Sequence, residues 1–200
     1  MEVMVVMGLI VLFVGGIGMA LRGSGSSTVG LQAAQSLVMS MLTQARSQAA
    51  LSGRDVALLV HADPAEPEKY YRYLVVVYDD TKQPVSAGAF LPTGCYVVPH
   101  PMPTGDAIDV GSDWTGLNST SWNQSGSFKV ESDSDRNWHL IVFKPIGTTV
   151  ANGRIVFAQG RANELGSTNP VKFLDPDNVR GVRISSYGQA RLASSREAFD

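Results

Sequence analysis

Hydrophobicity along the chain changes period twice. Residues 3–21 are nineteen consecutive uncharged positions, nearly all apolar, with Glu2 before them and Arg22 after. As a helix this run would span about 28 Å, close to the hydrocarbon thickness of a bilayer. Residues 1–22 are therefore expected to be a membrane-spanning N-terminal helix. A secretory signal peptide fits less well, because there is no basic leading region and no clean small-x-small cleavage site follows. A buried core helix would show a polar face, and this run has none. Gly8, Gly15, Gly16 and Gly18 lower helix propensity in water, but in a membrane small residues let neighbouring helices approach closely. The alternative is a lone anchor with incidental glycines.

Residues 23–30 are rich in glycine and serine and read as a flexible joint. Helical spacing then returns. Leu31, Ala34, Val38, Met41, Ala45 and Ala49 recur at steps of three and four, with Gln32, Ser36, Thr43 and Ser47 on the other side. That spacing predicts an amphipathic helix over 31–53, ending where Gly53 supplies a C-terminal cap. From residue 54 to 200 the pattern is extended. Strands are expected at 56–61, 70–78, 87–91, 95–98, 128–131, 138–144, 154–159 and 181–186, with shorter ones near 107–110 and 191–192. Residues 99–126 form a long Pro/Gly/Ser/Asn/Asp-rich loop, in which Trp114 and Trp122 either pin the loop down or serve as exposed contacts. The fold class that follows is α+β: a long N-terminal transmembrane and amphipathic helix packed on an antiparallel β-sheet or small β-sandwich, with 54–200 as the β-rich body.

Composition narrows the function classes. With 17% charged and 44% hydrophobic residues the chain is not a disordered tail. A net charge of −2 excludes a generally basic nucleic-acid binder. A single cysteine, Cys95, excludes an internal disulfide framework and a multi-cysteine zinc site. Charge is uneven, at −7 over residues 63–135 and +4 over residues 136–200, which would suit head-to-tail orientation or partner docking, or is simply solvated surface charge. Two acidic runs have alternating oxygen ligands of the kind calcium takes, one holding Asp133 and Asp135, the other Asp175 and Asp177. Neither closes with a glutamate at the calcium-loop spacing, and turn chemistry accounts for both. His61 and His139 sit in apolar strands, and no nucleophile elbow, phosphate loop or His-Glu-x-x-His motif is present. An enzyme is not expected and no cofactor is implied.

The run Glu2-Val-Met-Val-Val-Met-Gly resembles the start of type IV pilins, where a glutamate opens an apolar helix. The globular part is similar to the group of minor pseudopilin H and FimT/FimU-like minor pilins. The residues that carry this are Ala33-Ala-Gln-Ser-Leu, Gln44-Ala-Arg-Ser-Gln-Ala, Gly53-Arg-Asp-Val-Ala-Leu-Leu-Val, Ile141-Val-Phe-Lys-Pro-Ile-Gly147, Arg154-Ile-Val-Phe and Val182-Arg-Ile-Ser-Ser-Tyr-Gly188 through Arg191. The likeness covers nearly the whole chain apart from the loop at 99–126.

The resemblance implies a structural subunit of a type II secretion or type IV pilus filament. Such a subunit is held in the bacterial inner membrane by one span, with its body periplasmic, and assembles with other pilin-like subunits by helix packing. Glu2 would pair with a neighbouring subunit's N-terminal amine, and Gly8, Gly15, Gly16 and Gly18 would line the helix contacts. Prepilins of the family carry a basic leader ending in glycine and an N-methylated first residue. Here Met1 precedes Glu2 directly, so either the leader lies upstream or this polypeptide is not processed in that way. Some members contact DNA through a C-terminal Gly-Arg-x-Arg turn. The matching Gly188-Gln-Ala-Arg191 lacks one arginine, and Arg180, Arg183, Arg191 and Arg196 are the candidate phosphate contacts. Nucleic acid is not the expected partner; a secreted substrate is a second candidate. The alternative reading is a membrane-tethered extracytoplasmic module that binds DNA or a secreted substrate.

Overall fold

The helical spacing from Leu31 onward is realised as α1, Gly25–Ser52. It is seen in a computed structural model that describes residues 25–101, 104–108, 112–122, 124–130, 134–149, 152–163, 167 and 169–199. Leu31, Ala34, Val38, Met41, Leu42, Ala45 and Ala49 are buried, while Gln32, Ser36, Thr43 and Ser47 face solvent. The helix ends as expected at Gly53, whose φ of 65° lets its N–H turn back to the Ala49 carbonyl at 3.1 Å. Its start differs from the expected joint. Residues 25–30 already belong to α1, since extending a helix nucleated at the packed Leu31 turn adds a hydrogen bond for each residue fixed. The expected span at 1–22 and joint residues 23–24 lie outside the described residues. Among the described residues no helix is long and apolar enough to cross a membrane.

Ten strands follow among the described residues: β1 (Val56–His61), β2 (Tyr73–Tyr78), β3 (Ala89–Phe90), β4 (Cys95–Val97), β5 (Gln124–Phe128), β6 (Arg136–Phe143), β7 (Gly153–Ala162), β8 (Val171–Phe173), β9 (Val179–Ile184) and β10 (Ala190–Ala193). They form two sheets, one in the order β3-β2-β1-β6-β5 and one in the order β10-β9-β7-β4, with β8 paired to the far end of β7. Every named pairing is antiparallel. β1 is the centre of the first sheet, with Leu59 opposite Val75 on one side and Leu140 on the other. All six of its residues are buried, which explains its unbroken apolar run.

Helix α1 touches strands of both sheets, and its buried face joins Leu58, Val76, Ile141, Ile155, Phe157 and Val182 in one core. A second cluster, with Leu59, Val75, Trp138 and Leu140, covers the other face of the first sheet. Two expected elements change. Residues 105–107 form a 3-10 turn and Ile108 makes a single bridge to Phe173, while residues 109–110 of the strand expected near 107–110 lie outside the described residues. The strand expected at 128–131 lies earlier, at Gln124–Phe128, because its place is set by pairing with β6. In the long loop, Trp114 and Leu117 are buried and Trp114 packs against Phe173, with ring centres 5.7 Å apart. Ser119 fixes the loop further: its N–H reaches the Val98 carbonyl, and its Oγ accepts from the Val156 N–H at 2.9 Å.

Candidate functional site

Strand register assembles the most distinctive charged feature. Arg154 on β7 is opposite Arg183 on β9, and Arg183 is opposite Arg191 on β10. Directly paired residues of an antiparallel sheet share a face, so three guanidinium side chains stand in a row about 10 Å long. They line an open groove of about 730 Å³ together with Thr120, Asn152, Ser185 and Gln189. Arg183 and Arg191 are exposed and Arg154 is half-buried.

Hydrogen bonds hold two of them in place without neutralising them. Arg154 donates from Nε to the Asn118 carbonyl at 3.1 Å and from Nη1 to the Phe199 carbonyl. Arg183 Nη1 donates to the Ala198 carbonyl at 3.1 Å. Among the described residues no carboxylate forms an ion pair with any of the three. Several other cations of the chain are paired. Arg54 meets Asp80, Lys69 and Arg136 share Glu66, Lys82 meets Asp79, and Lys144 meets Asp55. Like charges about 6 Å apart repel by roughly 1 kcal/mol in a water-like medium and roughly 3 kcal/mol near a protein surface. What sets the row apart is three like charges in direct register across neighbouring strands, with no carboxylate paired to them among the described residues.

A second groove, of about 560 Å³, runs beside the first, between α1 and two turns. Met39, Leu42 and Ala50 line it from the helix, Ile146 and Gly147 from one turn, Gly188 from the other, and Arg46 and Arg191 add charge. The turns interlock. Gly188 has φ 68°, and a Cβ there would lie 2.3 Å from the Gly147 carbonyl oxygen. Thr149 N–H bonds the Ser186 carbonyl across the same junction. On these turns Ile146 and Tyr187 are exposed. Arg191 borders both grooves.

The structure separates the four candidate arginines. Arg183 and Arg191 are neighbours. Arg180 pairs in register with Phe157, at a different position along β9. Arg196 is taken up by Asp113 at 3.0 Å and Asp177 at 3.2 Å. Arg154 completes the row in their stead. In the acidic runs, the Asp175 carboxylate accepts the Asp177 N–H at 2.9 Å, a local turn bond, and Asp135 is exposed. Asp133 lies outside the described residues. Among the described residues no group of three His, Cys, Asp or Glu side chains is placed to hold a metal. Glu2, Gly8, Gly15, Gly16 and Gly18 also lie outside them.

Two buried groups, His61 and Cys95, and one half-buried group, His139, are shifted by their surroundings. His61 is fully buried beside Trp138, with Glu66 3.8 Å from its Nε2. Burial lowers its pKa, and the Glu66 charge opposes that shift. His139 lies between Tyr71 and Trp122, with the Tyr71 hydroxyl 3.1 Å from Nε2, and burial lowers its pKa too. The Cys95 thiol is pushed up to about 11 by burial.

Comparison with known proteins adds the family. A family model described as type II transport protein GspH matches residues 33–188, from α1 to the Gly188 turn. No curated protein matches the sequence. Among solved structures the chain is similar to the type IV minor pilin FimU of Pseudomonas aeruginosa. Identity is 15% over 82% of this chain and 87% of that one, with a TM-score of 0.45. It is also similar to the minor pseudopilin EpsH from the type 2 secretion system of Vibrio cholerae. There identity is 12% over 80% of this chain and 92% of that one, with a TM-score of 0.40. The family match takes in α1, most of the strands of both sheets and both interlocked turns, and the chain belongs to the GspH family of type II transport proteins.

Proposed function

We propose that this chain is a structural minor pilin or pseudopilin subunit of a type II secretion or type IV pilus filament. Residues 3–21 hold it in the bacterial inner membrane as a single span, with residues 54–200 outside the cytoplasm. It assembles with other pilin-like subunits through packing of that apolar segment, where Gly8, Gly15, Gly16 and Gly18 permit close contact. Glu2 fixes axial register there, because a carboxylate in an apolar bundle is costly unless it is paired.

One observation carries this reading beyond family membership: α1 is built into the core of the body along one whole face, from Leu31 to Ala49. The apolar stretch lies three residues ahead of that helix in sequence, so the chain leaves the packed body by the helix that faces the membrane-competent segment.

The test is fractionation and co-purification of the full chain from its own host. The expected result is recovery with membranes and capture of other pilin-type subunits, with capture reduced by Gly15→Leu/Gly16→Leu and by Glu2→Ala. Recovery of the full chain in the aqueous fraction, with no pilin-type protein captured, would refute it.

A further inference from the structure

We propose that the Arg154–Arg183–Arg191 row is a docking site for a carboxylate-rich segment of a partner protein. The proposal deepens the subunit reading by naming the chemistry of a contact made by the body, and it rests on that reading only for the partner being another component of the assembly.

Four observations lead there. The row is created by register across three strands, so its spacing is fixed by the sheet. Two of its members are steadied by neutral backbone carbonyls, which orient a guanidinium and leave its charge free for an incoming anion. The groove around it offers Thr120, Asn152, Ser185 and Gln189 as further hydrogen-bonding groups. Six other cations of the chain, Arg54, Lys69, Lys82, Arg136, Lys144 and Arg196, meet its own carboxylates, whereas these three adjacent arginines have no carboxylate partner among the described residues.

Side-by-side like charges across a sheet are destabilising on their own. A local rule broken without internal compensation marks a functional position. Guanidinium forks take carboxylates and phosphates alike, so the lining decides between them. Among the described residues no aromatic side chain lines the groove, and a single-stranded nucleic acid would find no platform there on which to stack its bases. An acidic peptide needs none. Two or three carboxylates on one face of a strand or helix are spaced about 5–7 Å apart, which matches guanidinium groups on adjacent strands.

The experiment uses the full chain in non-ionic detergent and a fluorescein-labelled hexaglutamate peptide, titrated by fluorescence anisotropy. Hexaserine and a duplex DNA of equal charge serve as comparison probes. Hexaglutamate should bind, hexaserine should not, and affinity should fall as salt rises from ~50 to ~200 mM. Arg191→Gln, which breaks no hydrogen bond within the described residues, should weaken binding about fivefold, and Arg183→Gln/Arg191→Gln by tenfold or more. Arg161→Gln, at the far end of β7, should leave binding unchanged and serves as the control for diffuse charge. An unaltered melting curve for Arg191→Gln separates lost binding from lost fold.

The proposal is overturned if hexaglutamate binds no better than hexaserine. It is equally overturned if Arg161→Gln weakens binding as much as Arg191→Gln, or if the DNA binds more tightly than the peptide. Because the measurement is made on the isolated chain, its failure leaves the co-purification result standing, and the reverse holds as well.

Discussion

Gln35 is a buried polar residue on the core face of α1, and its replacement by methionine offers a sharp test of how the helix is held. Its side chain is only 3% exposed. Nε2 donates to the Gly181 carbonyl at 2.6 Å and to the Ala193 carbonyl at 3.0 Å. Those residues face each other across β9 and β10, so one amide ties the helix to both strands. Methionine keeps the length and removes the donor. Each carbonyl that loses a donor in a dry site costs about 1–3 kcal/mol, and the more apolar side chain returns about 1 kcal/mol. The expected net loss is about 3 kcal/mol, or roughly 6–12 °C in Tm for a domain of this size. Thermal unfolding of the full chain in detergent, followed by tryptophan fluorescence, reads it. Gln48→Met is the control. Its amide reaches the half-buried Tyr78 hydroxyl at 2.7 Å, where water can substitute, and it should cost less than ~1 kcal/mol. Amide exchange should also quicken in β9 and β10 before β1. A Gln35→Met protein melting within ~2 °C of the parent, or a larger loss in Gln48→Met, would refute the reasoning.

Three further outcomes follow from packing. Gly188→Ala should cost more than ~3 kcal/mol by denaturant midpoint, since it combines a left-handed backbone with a clash against the Gly147 carbonyl, whereas Gly53→Ala, left-handed but open, should cost about 1 kcal/mol. Cys95, buried and with its thiol held up at about 11, should resist iodoacetamide at neutral pH in the folded chain and react at an ordinary rate in denaturant. His61 and His139 are both held below the usual histidine pKa by burial, so the unfolded chain takes up protons first as pH falls. Stability should therefore be full above about pH 6.5 and decline as pH drops from there towards the lowered folded values. His61→Phe should flatten that slope in a pH series of urea melts, and an unchanged slope would show that His61 contributes no proton linkage.

What the sequence made legible follows from which forces act locally. The core face of α1 was readable because its burial obeys the helical period. β1 was readable because a strand buried on both sides needs an unbroken apolar run. β8 was missed: Val171-Lys-Phe173 is three residues between Pro170 and a turn, too short for any period to register. β5 was misplaced, since Gln124-Ser-Gly-Ser-Phe128 has no strand signature and is extended because β6 offers it a ladder. Glycine and serine before Leu31 suggested a loosened joint, yet the packed helix carries through residues 25–30. The arginine row was legible only in part: Arg183 and Arg191 stand out near the C-terminus, but nothing in sequence joins Arg154 to them. Arg154, Arg183 and Arg191 are scattered in sequence, and only strand order and register bring them together. The same geometry sets Arg196 apart from that row, with Asp113 and Asp177 beside it.

The embedding of α1 also has a mechanical consequence. At 28 residues it is about 42 Å long, and its contacts with the sheets extend from Leu31 to Ala49. A pull along its axis, applied ahead of Gly25, loads all of those buried turns at once, in shear. A sideways pull instead concentrates on the first turns and peels them away one after another. The domain is therefore strong along the axis and weak across it, and traction on the leading end will drag the body before it draws the helix out.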